Sequence, residues 1–365
     1  MARRRATVHE VAAYAKVSAQ TVSRVVNGVP RVAPRTRERV LAAVKALDYE
    51  PNSLARGLVT RRTHAIGVVV YDISNPYYGQ MVRGMDDAAF SRGYDLVIGN
   101  SDADHRKDLS YLRVFRRRAV DGILASVADP SRDRLEAWTQ AACPVVFLDK
   151  YYGSEDCSYV TVNNREAALR AVEHLLEIGH RRIGVVTASS TASVSVKERF
   201  AGYREALRAG GVEYDPGLTA RSERQTEEGG FHATRKLLRG GAIPTALFCN
   251  NDAMAIGAMR AIYDAGLDIP GDISVVGFDD VPVAALLRVP LTTVAQPIRR
   301  MGAAAVELLT ERIEGASPRQ PRQIVLDAHL VIRRSTAPPA RHAARAARAV
   351  RAVQAVQAPG PAGRK

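Results

Sequence analysis

The sequence predicts an all-α helix-turn-helix head, a short linking helix, and an α/β core of two similar lobes built on parallel sheets. Three observations carry this. Residues 7–28, TVHEVAAYAKVSAQTVSRVVNG, hold two short amphipathic helical patterns joined by a tight turn. From Ala65 onward, short unbroken β-branched runs alternate with helix-like stretches, and after Thr161 the alternation starts again. The positive charge is concentrated at the two ends of the chain.

The head comes first. Thr7 followed three residues later by Glu10 is a capping box, so a helix starts there. Val8, Val11, Ala12 and Ala15 recur at helical spacing and form one apolar face. Lys16, Val17 and Ser18 interrupt it. Ser18 is an N-cap for a second helix with Val22, Val25 and Val26 inside and Ala19, Gln20, Ser23, Arg24 and Asn27 outside. Gln and Arg make paired hydrogen bonds to adenine and guanine edges, so this outer face suits the major groove. Pro34 opens a third helix whose expected inner face is Val40, Leu41, Val44 and Leu47. In PNSLARGLV, residues 51–59, Asn52 caps a short helix with Leu54, Ala55 and Leu58 on one face. Gly57 makes so short a helix marginal in water.

The core follows. AIGVVV, YDLVIG, DGILA and PVVFLD alternate with helix-like stretches near 77–92, 106–118 and 131–141. RIGVV, TALFCN and ISVVGF repeat the pattern, with helices near 164–178, 197–209, 228–239 and 252–265. Such alternation is that of βαβ units in parallel sheets. Ligands of these sheets bind beyond the carboxyl ends of the strands. Those ends carry Asp72, Ser74, Asn75, Tyr77 and Tyr78, then Asp149, then Asn251 and Asp252, then Asp279.

Composition bounds the function. The 365 residues carry a net charge of +14 and are 46% hydrophobic, enough for two or three cores. Residues 1–62 hold 13 Lys+Arg against 4 Asp+Glu, and residues 333–365 hold 8 Lys+Arg and no acid, which leaves 63–332 at −3. A basic head on a near-neutral body points to a polyanion partner. Three cysteines without CxxC spacing fit a reducing cytoplasm and no metal site. Arg3, Arg4 and Arg5 have the charge of a secretory leader, but no apolar run follows, and no stretch approaches the about 18 apolar residues of a membrane span. HExxH, GxSxG, P-loop and GxGxxG motifs are absent and the eight histidines are scattered, so an enzyme is not expected. His174 and His180 flank one helix end, where a histidine is expected to cap a carbonyl.

The phrase T…VAxxAxVSxxTVSRVVNG over residues 7–28 resembles the DNA-binding signature of the LacI/GalR family of bacterial transcriptional repressors, and the resemblance runs to about Thr336. It implies a periplasmic-binding-protein-like sensor core whose chain crosses between lobes three times, near 162–164, 291–295 and 322–324. The expected organisation is therefore a head at 1–50, a hinge at 51–62, a sensor at 63–336 and a basic disordered tail at 337–365. Within the sensor, lobe 1 takes 63–163 and 294–322, and lobe 2 takes 164–293 and 323–336. The resemblance implies DNA contacts from Thr7, Ser18, Ala19, Gln20, Thr21, Ser23, Arg24 and Asn27 in the head. In the hinge it implies Asn52, Ala55 and Leu58, the last as a wedge in the minor groove. It implies effector contacts from Asn75, Tyr77, Tyr78, Asp149, Ser195, Arg199, Asn251, Asp279 and Gln296; Asp252 also matches the pocket, but an aspartate at a strand end commonly caps the next helix, and it is read as that cap. The partners implied are palindromic double-stranded operator DNA, a small-molecule effector of the carbohydrate class, and a second copy of the chain in a dimer, or a tetramer of two dimers. Met254, Ile256 and Met259 are the expected dimer contacts. No cofactor, metal or membrane is implied, and the setting is the bacterial cytoplasm and nucleoid. A solute-binding protein of the same core fold is the competing reading, and the head argues against it. The sequence departs from the family at Lys16, Ala33, Asn163 and Ala167, and at Gln225 and Ile298, where relatives place an aromatic platform.

Overall fold

The capping box of the first helix forms as its spacing requires: Glu10 N donates to Thr7 Oγ1 and Thr7 N donates to Glu10 Oε2. The computed structural model describes residues 6–26, 32–49, 62–102, 104–127, 137–138, 140–149, 157–189, 193–240, 243–315 and 320–339. Helices α1 (Val8–Ala15), α2 (Ala19–Val26) and α3 (Pro34–Ala46) make the head. Val11, Ala12, Ala15, Val22, Val25, Val40 and Ala43 close its core. α1 stops because Lys16 adopts a left-handed conformation (φ 50°), and Arg39 Nη2 donates to the Ala15 and Lys16 carbonyls there. Leu41, expected inside, is 50% exposed. The helical rotation that brings Val40 and Ala43 to the core carries Leu41 to solvent.

Ala33 stands at the N-cap of α3 with no side-chain hydrogen bond. Its extended backbone already suits a cap, so Ala33→Ser should stabilise α3 by about 1 kcal/mol. Hydrogen exchange of the α3 amides measures this; unchanged protection would contradict it.

The core is two six-stranded sheets among the described residues. In sheet order the first is β11 (Gln323–Leu326), β5 (Ser158–Val162), β4 (Val145–Leu148), β3 (Gly122–Ala125), β1 (Ala65–Val70) and β2 (Asp95–Asn100). The second is β12 (His329–Val331), β10 (Thr292–Ala295), β9 (Ser274–Asp279), β8 (Ala246–Cys249), β6 (Ile183–Ala188) and β7 (Thr219–Ser222). The inner strands of each are near-continuously buried, as strands covered on both faces should be, while the edge strands β2, β7, β11 and β12 are partly open to solvent. The first lobe carries α4 (Pro76–Phe90) and α5 (His105–Arg118). The second carries α6 (Asn164–Glu177), α7 (Val194–Ala209), α8 (Glu227–Arg239) and α9 (Asp252–Asp264). The expected helix near 131–141 lies largely outside the described residues.

Four points differ from the sequence reading. The second sheet is not wholly parallel, because β12 runs antiparallel to β10 after a two-residue crossing from β11. The second and third crossings fall at Gln296–Pro297 and Asp327–Ala328, a few residues later than expected. β10 first completes the second sheet in register with β9, and β11 completes the first in register with β5. Residues 294–295 thus belong to the second lobe and 323–326 to the first. A long helix, α10 (Ile298–Glu314), returns to pack on α4, β3 and β4. Finally, Ala337, placed in the expected tail, is bound to the second lobe: its carbonyl accepts from Ser274 Oγ (3.1 Å) and faces His180 Nε2 (3.0 Å). His174 Nε2 meets Thr336 Oγ1 at 3.1 Å. These histidines tether the last described residues to the lobe and do not cap a helix end. Residues 340–365 lie outside the described residues.

Candidate functional site: an effector cleft and a base-reading helix

In both sheets the strand order doubles back beside the first strand of the lobe, and the crevice there opens beyond the carboxyl ends. The residues at those ends converge on one narrow cleft with about 30 Å3 of free space. The first lobe gives Tyr71, Asp72, Asn75, Tyr77, Tyr78 and Asp149, and the second gives Ser195, Arg199, Gln225, Thr226, Asn251 and Asp279.

Arg199 is the centre of the cleft. It sits near the start of α7 and is 4% exposed. Its Nε donates to Asn164 Oδ1 and its Nη1 to the Asn250 carbonyl, both at 2.8 Å, and its guanidinium lies 3.8 Å over the Phe278 ring. Neutral acceptors therefore fix the fork, while the carboxylates stand back. Asp149 Oδ1 is 3.9 Å from Nη2 and Asp279 Oδ1 is 3.8 Å from Nη1. Those spacings are ion pairs beyond direct hydrogen-bond length, and the first of them joins one lobe to the other.

Both carboxylates ride on unusual backbone. Asp149 has φ 62° and Asp279 has φ 133°. Strain of this kind in non-glycine residues persists where the surroundings impose it. Gln296 Nε2 donates to Asp279 Oδ1 at 2.7 Å. Gln296, expected on the effector, thus stands behind Asp279 as its support and is not among the cleft-lining side chains. Burial pushes the Asp279 carboxyl well above the ordinary carboxylate range, and the Arg199 guanidinium opposes that shift.

The other expected residues take local roles as well. Asn75 Oδ1 accepts from Tyr77 N and Asn251 Oδ1 from Met254 N, so both cap the helices that begin at the cleft. Asn251 Nδ2 donates to the Gln225 carbonyl. Ser195 Oγ pairs with Ser193 Oγ at 2.9 Å. Tyr78 stacks on Tyr71 with centroids 6.2 Å apart and meets Tyr77 edge-on at 5.1 Å. Burial raises the Tyr77 and Tyr78 hydroxyls well above the usual tyrosine range, which keeps them neutral donors. Sequence reasoning missed Tyr71, Asn164, Asn250 and Phe278. Tyr71, an aromatic directly after β1, carried a readable signal, whereas the other three hold Arg199 through contacts between distant segments.

Asp252 is neither a cap nor a cleft residue. It is fully buried; Oδ1 accepts from Thr293 Oγ1 (2.5 Å) and Oδ2 from Val281 N (2.9 Å), tying α9 to the segments after β9 and in β10. Burial raises its carboxyl to about 6. A folded pKa above the unfolded one means that the folded state holds the proton more tightly. Asp252 therefore weakens the fold above about pH 6 and stops doing so as pH falls through 6 toward its unfolded value. Relative to Asp252→Asn, the wild type should gain stability over that interval. Thermal unfolding of the two at pH 7 and at pH 4.5 reads the difference, and a constant difference would contradict the assignment.

In the head, Gln20 and Arg24 are exposed on the outer side of α2, with Ala19, Thr21 and Ser23 partly so. Ser18 Oγ accepts from Thr21 N at 3.2 Å and caps the helix. Thr7 is occupied by its capping box. Asn27, Asn52, Ala55 and Leu58 lie outside the described residues. Met254 and Met259, expected at a dimer contact, are buried in the core of their own lobe, because that face of α9 lies on the sheet; only Ile256 is partly exposed.

A head with an exposed reading helix and a two-lobed core with a polar cleft define a ligand-responsive DNA-binding regulator. Residues 7–52 match the Bacterial regulatory proteins, lacI family, and residues 172–336 the Periplasmic binding protein-like domain. Catabolite control protein A of Priestia megaterium is 35% identical over 84% of this chain and 92% of its own. The lac repressor dimer bound to operator and the anti-inducer ONPF is 30% identical, with a TM-score of 0.81 over 92% of this chain and 100% of that one. A transcriptional regulator CelR–cellobiose complex is 35% identical, with a TM-score of 0.69 over 91% and 100%. The chain belongs to the LacI family of bacterial transcriptional regulators. It is a DNA-binding regulator whose operator affinity responds to a small molecule. These relatives bear the names of regulators, not of enzymes. No helix among the described residues is long and apolar enough to cross a membrane.

Proposed function

We propose that the protein is a cytoplasmic repressor whose effector is an uncharged, hydroxyl-rich carbohydrate bound between Arg199, Asp149 and Asp279. The observation that carries this is the cleft's set of acceptors around one fork of donors: Asp149 and Asp279 stand 3.9 and 3.8 Å from the Arg199 guanidinium, and Asp72 lines the same cleft. Each sugar hydroxyl can donate to a carboxylate and accept from the guanidinium. A sugar phosphate or carboxylate would add repulsion. A purine would need an aromatic platform, yet Arg199 lies over the Phe278 ring, and Gln225 and Ile298 are not aromatic. The cellobiose bound by the CelR regulator supports the same class. Calorimetry against neutral sugars, sugar phosphates and purines tests it. Binding of a purine or a phosphate with neutral sugars silent would overturn the carbohydrate reading.

Operator recognition is assigned to Gln20 and Arg24, with phosphate and cap contacts from Thr7, Ser18, Ala19, Thr21 and Ser23. Arg24→Ala should cost about 1–3 kcal/mol on the operator and little on scrambled DNA. An equal loss on both would remove Arg24 from base reading. Dimerisation is assigned to the exposed apolar side chains Ile73, Phe90 and Ile98 of the first lobe and Val283 and Leu286 of the second. A two-fold dimer presents two heads to a palindromic site. The effector controls DNA binding only so far as it favours one arrangement of the lobes.

A further inference from the structure

We propose that the Arg113–Arg116–Arg117 face of α5 binds the phosphate backbone of the DNA that the protein holds; the inference rests on the DNA-binding reading above. α5 turns Asp108 and Phe115 inward and leaves Arg113, Arg116, Arg117 and Arg118 exposed. Arg113 is three and four residues before Arg116 and Arg117, so the like charges share one helix face and repel. Among the described residues none of these arginines is paired with an acid, whereas Arg83 pairs with Asp87 and Arg170 with Glu166 on their own helices. The helix dipole favours cations in the last turn, which accounts for Arg116 to Arg118. It does not account for Arg113, which lies a turn earlier and with Ser110, Arg116 and Arg117 lines a shallow surface groove. Residues 63–332 are net negative, so these cations are a local concentration and not part of a general basic coat.

The position of the cluster selects the anion. α5 runs into Ala119–Asp121, and those residues hold the first described residues after the hinge segment. Asp121 Oδ1 accepts from Thr63 N (2.7 Å) and Thr63 Oγ1 (3.0 Å), Asp121 Oδ2 accepts from His64 N (2.9 Å), and Thr63 Oγ1 reaches the Ala119 carbonyl. The arginines are therefore tethered within a few residues of the point where the chain passes from its DNA-binding part into the core. A duplex carries phosphates at a spacing that several arginines can engage together, and such contacts carry no sequence information.

The test uses the full chain with Arg113, Arg116 and Arg117 all replaced by Ala. Binding is read by fluorescence anisotropy on an operator selected by the wild type from random duplexes and on a scrambled duplex of equal length, between about 50 and 200 mM salt. The variant should weaken on both duplexes by a similar factor, about tenfold, and its log–log salt slope should be smaller by about 2–3 per protomer. The corresponding triple Lys variant should behave as the wild type, and effector binding should not change, since the cluster does not line the cleft. Unchanged affinity and slope would overturn the proposal, whether or not the variant lost an acidic protein partner. A loss confined to the operator would overturn it too. If the wild type selected no operator, the regulator reading itself would fail, while the scrambled duplex would still test the cluster.

Discussion

Arg199→Ala should lose effector binding by about 2–3 kcal/mol, the range for hydrogen bonds to a charged group at its upper end. The loss has two physical parts. The ligand loses a rigid fork of donors that Asn164, Asn250 and Phe278 hold in place without the ligand's help. Asp149 and Asp279 also lose the positive charge between them, so two buried carboxylates are left facing each other. Arg199→Lys should not restore binding, because an ammonium cannot reach Asn164, Asn250 and a ligand in one plane. Asp279→Asn should lose about 1.5–3 kcal/mol by the same reasoning from the acceptor side. Calorimetry on the full chain, with the sugar found in the panel, reads all three. An Arg199→Ala protein binding within threefold of wild type would remove Arg199 from the site.

Gly257→Val should destabilise the second lobe by about 3 kcal/mol, the upper end of the usual cost of overpacking. A Cβ at Gly257 of α9 would stand 1.9 Å from the Glu227 carbonyl of α8, and one at Gly230 of α8 would stand 2.2 Å from the Met254 carbonyl of α9. The two helices thus touch backbone to backbone, each through a glycine. The atoms met are carbonyls, so no rotamer change can relieve the clash and one helix must move. The same device joins α4 to α10, where Gly84 meets the Arg299 carbonyl and Gly302 the Met81 carbonyl. Urea unfolding with tryptophan-independent far-UV detection measures the loss. Unaltered stability of Gly257→Val would show that the helices can separate freely.

The sequence by itself determined the head, the alternation of the core and most of the cleft. Thr7 with Glu10, and Ser18 before Val22 and Val25, are local signals, because caps and helix faces depend on neighbours within a turn. Asp72, Asn75, Asp149, Asn251 and Asp279 were legible for a related reason: a parallel strand ends at its carboxyl edge wherever it lies in the sheet, and the cleft is at that edge. The family pattern supplied Arg199, which periodicity would not have singled out. Tertiary structure decided what hydrogen bonding between distant segments decides. Gln296 became the support of Asp279, and Asp252 a buried tie to Thr293 and Val281, because their partners come from β9, β10 and the segment between them. β10, β11 and β12 are three or four residues long, too short to show a period, and exist as strands only through β9, β5 and each other. Met254 and Met259 satisfy a helix-face pattern equally well inward or outward, and only packing on the sheet turned them in. Periodicity fixes which side chains share a face, while the direction of that face is set by what the rest of the chain brings against it.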